Sequence, residues 1–193
     1  MKKYMAAFLV TILVILELCG CTGSKEADVS GYVQANLDLI FQGETQSAKE
    51  YLEATDSELE QMHENGIQAF VQNYLTGGMD TEGTYAEVYN SLVEQIFISM
   101  KYQVGEAKKI GKNSYEVSVE YCPVDIFLNF IPKLKEEAEQ IEQQAENGAY
   151  EGTDEEIQKA MIVDYLNHSY SYLETAYLEM QYGDEEEYIF TVT

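Results

Sequence analysis

Between Met100 and Pro123 the spacing of apolar residues changes, and that change limits the fold more than any other feature of the chain. Tyr102 and Val104 alternate with polar residues, Gly111-Lys112-Asn113 forms a turn signal, and Tyr115, Val117, Val119 and Tyr121 alternate strictly. Successive side chains of a strand point to opposite faces, so a period of two predicts an antiparallel hairpin with one buried face. Before this stretch the period is helical. Val29, Val33, Leu37, Ile40 and Phe41 mark a first helix that ends at Gly43, and Ala48, Tyr51 and Leu52 a short second one. Thr55-Asp56-Ser57-Glu58 is a capping box, in which the Thr hydroxyl accepts a first-turn N–H and the Glu reaches back. The helix that it opens carries Leu59, Met62, Ile67, Phe70, Val71 and Tyr74, and stops at Gly77-Gly78. A fourth helix carries Tyr85, Val88, Leu92, Ile96, Phe97 and Met100.

Pro123 ends the hairpin. Residues 124–131 are apolar and ambiguous, enough for one loose helical turn. Pro132 fits the first turn of a helix, where its missing N–H costs little. Leu134, Ala138, Ile141 and Ala145 supply that helix with a narrow stripe, closed by Asn147-Gly148. A second capping box, Thr153-Asp154-Glu155-Glu156, opens a long helix to about Tyr182, with a stripe of Ile157, Met161, Tyr165, His168, Tyr172, Ala176 and Met180. Tyr188, Phe190 and Val192 then alternate as a terminal strand that pairs with the hairpin. The fold class is therefore α+β and helix-dominated. About six helices pack on a small antiparallel sheet, built from a hairpin near 101–121 and a C-terminal strand near 187–193. There is no internal repeat and no dividing linker, so residues 28–193 read as a single globular domain.

The front of the chain has a different character. Lys2 and Lys3 precede Ala6–Leu16, an uncharged and mainly apolar run of 11 residues. That length suits the core of a secretory signal and falls short of the ~20 residues of a membrane-spanning helix. Leu18-Cys19-Gly20-Cys21 resembles the lipobox of bacterial lipoproteins: Leu, two small residues that let a peptidase approach, then a Cys whose thiol takes the diacylglyceryl group. The resemblance implies a signal peptide over 1–20, cleavage between Gly20 and Cys21, lipid attachment (palmitate among the acyl chains) at Cys21 and a tether over 21–27. It also implies a domain held on the extracytoplasmic side of the cell membrane. An ordinary secretory signal with incidental cysteines is the alternative.

A second resemblance covers the rest of the chain. Gly31–Gly43, Lys101-Tyr102-Gln103-Val104, Tyr115–Val119 and Pro123-Val124-Asp125-Ile126-Phe127 are similar to the pattern of an uncharacterised family of bacterial lipoproteins with a domain of unknown function. It implies a shared fold over about 28–193 and no activity.

Charge narrows the partners. Beyond residue 20 the chain has 9 Lys, no Arg and 34 Asp and Glu, a net of −25. Phosphate binding needs clustered Lys and Arg, which argues against nucleic acid. The same balance argues against close adhesion of the domain to anionic head groups and is compatible with solubility, cation binding or a basic partner. With Cys19 removed and Cys21 lipidated, only Cys122 remains, so no intramolecular disulfide forms. The lone thiol reads as a small buried hydrophobe.

The sequence carries none of the common catalytic or phosphate-binding motifs, and no catalytic residue, metal ligand or cofactor is assigned. His63 edges an apolar stripe and His168 lies within one; both read as partly buried, hydrogen-bonded histidines, the alternative being a pair of His168 or His63 with Cys122 as nucleophile. Asp80-Thr81-Glu82-Gly83 with Glu87 lacks the spacing of a calcium loop, and Asp184–Glu187 reads as a solvated turn. Tyrosine is the unusual residue: there are 16 Tyr and no Trp. Tyr165, Tyr170, Tyr172, Tyr177 and Tyr182 crowd the last helix on more than one face and form the candidate contact surface, because Tyr joins apolar area to a polar tip. The expected function is a surface-tethered, non-catalytic binding or protein-interaction module of the cell envelope, with the membrane and an envelope protein as partners. The alternatives are a carboxylate-dependent hydrolase of wall or extracellular polymer and a structural part in envelope assembly. Oligomeric state has no sequence signal.

Overall fold

The computed structural model describes residues 28–77, 79 and 84–193. The signal, cleavage site, lipid-attachment site and tether expected at residues 1–27, and the Asp80–Gly83 acidic stretch, lie outside the described residues. Among the described residues there are six helices and one three-stranded antiparallel sheet, an α+β, helix-dominated fold. The sheet is ordered β1 (Lys101–Lys109), β2 (Tyr115–Cys122), β3 (Glu186–Val192). The central strand therefore belongs to the hairpin and the C-terminal strand pairs beside it. Val117, Val119 and Phe190 are buried, as their alternation requires. The chain forms two compact units, each assembled from separated segments.

The first unit comprises residues through Glu64, Val104–Val119 and Tyr188–Thr193. Helix α1 (Val29–Gln42) starts at Asp28, whose carboxylate accepts the Gly31 N–H at 2.8 Å and the Tyr51 hydroxyl at 3.0 Å. It stops because Gly43 turns left-handed (φ +65°), which lets the Gly43 and Glu44 N–H groups bond back to Leu39 and Asp38. Its buried residues include Val29, Val33, Ala35, Leu37, Leu39 and Phe41; Ile40, expected on the stripe, is half-buried. Helix α2 (Gln46–Leu52) buries Ala48 against Leu39 and Leu59, the core of this unit. Helix α3 (Asp56–Phe70) begins with the capping box: the Thr55 N–H donates to Glu58 at 2.8 Å and the Glu58 N–H to the Thr55 hydroxyl at 3.3 Å.

The second unit comprises Asn65–Gln103 and Glu120–Glu187. After Phe70 the helix widens to a π-turn over Val71–Leu75, where the Thr76 N–H reaches the Val71 carbonyl at 3.0 Å. Each bond closes one residue later than in an α-helix, so the buried face passes from Val71 to Leu75 and Thr76 and leaves Tyr74 outside, 48% exposed. Tyr74 thus departs from the expected stripe; Met62, 41% exposed, departs from it on α3, before the π-turn. Helix α4 (Thr84–Ile98) buries Tyr89, Leu92, Val93, Ile96 and Phe97. Its core face is centred one residue beyond Val88, on Tyr89, whose hydroxyl finds internal partners.

Helix α5 runs unbroken over Ile126–Glu146 with Pro132 inside it. Pro132 is therefore not in the first turn. The missing N–H would have met the Leu128 carbonyl, and Leu128 and Ile131 lie 47% and 58% exposed, so that end of the helix is open to water. Helix α6 (Asp154–Leu178) opens with the second capping box and ends at Leu178, so Tyr182 lies beyond it. Leu166, Ser169, Leu173 and Ala176 form its buried face, one residue round from the expected Tyr165, His168 and Tyr172. The end of α6 is fastened to the start of α5. The Gly183 N–H donates to the Pro123 carbonyl at 2.8 Å, the Gln181 N–H to the Asp125 carboxylate at 2.8 Å, and Val124 and Tyr182 form an antiparallel bridge.

Candidate functional site

Helices α5 and α6 pack along one another, and a polar cluster is built into their contact. On α5 the buried residues are Ile126, Phe130, Glu137 and Ile141. Spacings of 4, 7 and 4 keep all four on one face. Glu137 thus stands at a core position, 4% exposed, while Ala138, the expected stripe residue, is exposed. Leu134 and Ile141 are compatible with either neighbour by spacing. Residue type pointed to Ala138, and the partners that make a buried carboxylate tolerable come from a different helix.

Those partners are His168 and Tyr172, one turn apart on α6. His168 Nδ1 lies 2.6 Å from one carboxylate oxygen and the Tyr172 hydroxyl 2.6 Å from the other. Burial by itself pushes the Glu137 carboxyl up, but the hydrogen bonds from Tyr172 and His168 and the attraction of the imidazole outweigh it and hold the group below the usual range. An ionised carboxylate only accepts, so Nδ1 carries the proton it shares with Glu137. The Tyr172 phenol is pushed up, first by that hydrogen bond and then by burial. Lys133, one turn before Glu137, places its ammonium 5.9 Å from the centre of the Tyr172 ring. Beside this cluster the Tyr150 hydroxyl donates to Asp164 at 2.9 Å.

The arrangement fixes an imidazole whose side chain is 53% exposed on a carboxylate that is not. It locks α5 to α6 and presents the outer edge of His168 to solvent. Glu137, held ionised, is poorly suited to act as a general acid. Cys122 is a free, half-buried thiol, while the Nδ1 of His168 is committed to Glu137. His63 belongs to the first unit: its ring lies against Gly43 and its buried Nδ1 has no hydrogen-bond partner.

The five tyrosines of the expected contact surface are all half-buried. They do not share a face. Tyr170 stacks edge-on against Tyr89 of α4 at 5.5 Å and donates to Glu174 at 3.4 Å, whereas Tyr172 turns to α5. Burial raises the phenol pKa of Tyr165. Tyr177 stands on the last turn of α6. Tyr182, past the helix, donates to the Ser99 carbonyl at 2.8 Å and receives the Lys101 ammonium 3.6 Å above its ring. In the Asp184–Glu187 run, all four residues are exposed and Glu186 accepts the Tyr121 hydroxyl at 3.1 Å. Among the described residues, no group of three or more His, Cys, Asp or Glu could hold a metal ion. No described helix is long and apolar enough to cross a membrane.

No family model and no curated protein matches the chain. It is similar to a crystal structure, at 2.62 Å resolution, of a "putative lipoprotein (ycdA)" from Bacillus subtilis subsp. subtilis str. 168. The two are 14% identical, the match covers 85% of this chain and 48% of that one, and the TM-score is 0.48. The chain thus spans about half the length of that solved protein.

Proposed function

We propose that the chain is a lipoprotein precursor, cut between Gly20 and Cys21, whose acylated Cys21 holds residues 28–193 on the extracytoplasmic face of the cell membrane. The observation that carries this reading is the lipobox Leu18-Cys19-Gly20-Cys21 behind a short charged and apolar leader. At least two acyl chains on one cysteine make the anchoring stable, because each buried methylene contributes about 0.8 kcal/mol and one chain alone holds only marginally.

The anchored part acts as a non-catalytic binding or interaction module of the envelope. Two features support this over a hydrolase. Glu137, the carboxylate most committed to the interior, has both oxygens taken by side chains that lock two helices. The tyrosines of α6 stand at the helix edges with their rings half-buried, the placement that offers apolar area and a hydroxyl together.

Growth with an alkyne-bearing fatty acid, followed by click detection, tests the anchor. A labelled band that disappears in Cys21→Ala supports it, and an unlabelled wild type overturns it. In-cell cross-linking and mass spectrometry then test the module. A protein partner recovered with wild type and lost with Cys21→Ala supports it, and the absence of any partner with the chain still membrane-bound sinks it.

A further inference from the structure

The hairpin tip is the one strongly basic stretch of the described chain. Lys108, Lys109, Ile110, Gly111, Lys112 and Asn113 are six consecutive exposed residues. They hold three of the nine lysines beyond residue 20, and no acid occurs between Glu106 and Glu116. At the centre stands Ile110, 49% exposed. The tip is well defined: the Ile110 and Gly111 N–H groups both donate to the Ser114 carbonyl, at 2.9 and 3.1 Å, and the Lys109 ammonium lies 5.7 Å from the centre of the Tyr115 ring. A lysine pair and a third lysine around one apolar side chain form a small interfacial surface on a protein whose net charge is otherwise strongly negative.

The start of α1 is attached to the same hairpin. The Ser30 hydroxyl donates to the Gly105 carbonyl at 2.9 Å. From Gly105 to Ile110 the strand rises about 17 Å. From Cys21 to Asp28 the chain reaches at most about 25 Å, whatever its conformation. With an acyl group on Cys21, the tip therefore lies within the distance that the tether is able to span from α1. A turn of the unit brings the tip to the membrane within the reach of the tether.

We propose that the Lys108–Asn113 tip is a second membrane contact, resting its three ammonium groups on the anionic phospholipid headgroups of the membrane that holds Cys21. This rests on the lipid-anchor reading above. The attraction acts only within a Debye length of about 8–10 Å, so the tip feels it while acidic parts beyond that distance are screened. The net charge argues against adhesion of the whole domain, and the tip is the stretch that anionic headgroups attract.

The full chain, purified from membranes in its natural processed form, is reconstituted into vesicles of phosphatidylcholine alone or mixed with phosphatidylglycerol. An amine-reactive reagent is applied and digested peptides are quantified by mass spectrometry, with exposed Lys159 as reference. Lys108, Lys109 and Lys112 are expected to label about fivefold more slowly on the mixed vesicles, and the protection to vanish in high salt. Placing Glu at all three positions (K108E, K109E and K112E together) should abolish tip protection, read on Ile110→Cys with a thiol reagent. The mass of the Cys21 peptide separates the two ideas. An unmodified Cys21 overturns the anchor and the proposal with it. An acylated Cys21 with tip lysines that label equally on both vesicles overturns the tip contact alone. Protection in intact cells but not on vesicles also overturns it, and points to an anionic wall polymer.

Discussion

The carboxylate of Glu137 on α5 and the hydroxyl of Tyr172 on α6 are joined by a 2.6 Å hydrogen bond across two helices, 35 residues apart in sequence. The other carboxylate oxygen takes His168 at the same distance. One buried acid thereby ties α5 to two side chains one turn apart on α6. Replacing it by an amide keeps the shape, removes the charge and leaves one acceptor oxygen where two carboxylate oxygens stood. Charge-assisted hydrogen bonds contribute roughly 1.5–3 kcal/mol. Glu137→Gln is therefore expected to lower unfolding stability by about 1–2 kcal/mol, measured by urea denaturation at neutral pH. An unchanged midpoint would show that the cluster is incidental to α5–α6 docking.

The same group has a pH signature. Its folded pKa lies below the ordinary value of 4.5, so the folded state holds the ionised form more tightly than the unfolded chain does. That stability is fully present above pH 4.5 and is lost as pH falls through the folded value. The gap in stability between wild type and Glu137→Gln should accordingly close in acid, below pH 4.5. A gap that stays constant from neutral pH into acid would contradict the assignment.

Tyr89 offers the alkaline counterpart. It is fully buried, its hydroxyl donates to the Leu166 carbonyl at 2.9 Å and contacts the Ser169 hydroxyl, and burial raises its pKa to about 12. A phenol with a raised folded pKa contributes stability that is complete below its unfolded value of 10 and is lost as pH rises toward 12. Tyr89→Phe leaves Ser169 and Leu166 without that partner and is expected to cost about 1–3 kcal/mol at neutral pH. It should also flatten the fall in stability above pH 10. Circular dichroism melts across that range decide it: parallel curves for the two proteins would refute the role.

Gly43 is constrained twice. Its φ of +65° is strained for any L side chain, and an added Cβ would lie 3.1 Å from His63 Nε2. Gly43→Ala is expected to destabilise the protein by about 1–2 kcal/mol. Pairing it with His63→Ala should recover only the part that comes from the contact. Full recovery in the double variant would assign the whole cost to His63 and none to the backbone.

Pro132 sits six residues inside α5, on its open side. Alanine there restores an N–H opposite the Leu128 carbonyl and removes the ring clash, against some gain in unfolded-chain entropy. Pro132→Ala should raise the melting temperature by a few degrees, since about 1 kcal/mol moves a domain of this size by roughly 2–4 °C. A lowered melting temperature would mean that Pro132 stabilises α5.

What the sequence determined by itself is local. Both capping boxes, the Gly43 and Asn147-Gly148 stops, the Lys112 turn and the strict alternation from Tyr115 to Tyr121 are written in neighbouring residues. Each is satisfied by bonds that span only a few positions. Period and residue type also determine the helix-dominated α+β class. The tertiary structure decided which side of each helix is buried, because adjacent faces differ by one residue and the choice depends on partners far along the chain. Tyr89 displaces Val88 as the centre of α4 because Leu166 and Ser169 wait for its hydroxyl. The π-turn at Val71–Leu75 moves Tyr74 outward, and no local pattern announces it. Glu137 displaces Ala138 because a carboxylate belongs inside only where His168 and Tyr172 meet both of its oxygens. A buried charge is tolerable when fully paired and costly otherwise, and pairing across 31 and 35 residues is a property of the packed helices, not of either one alone.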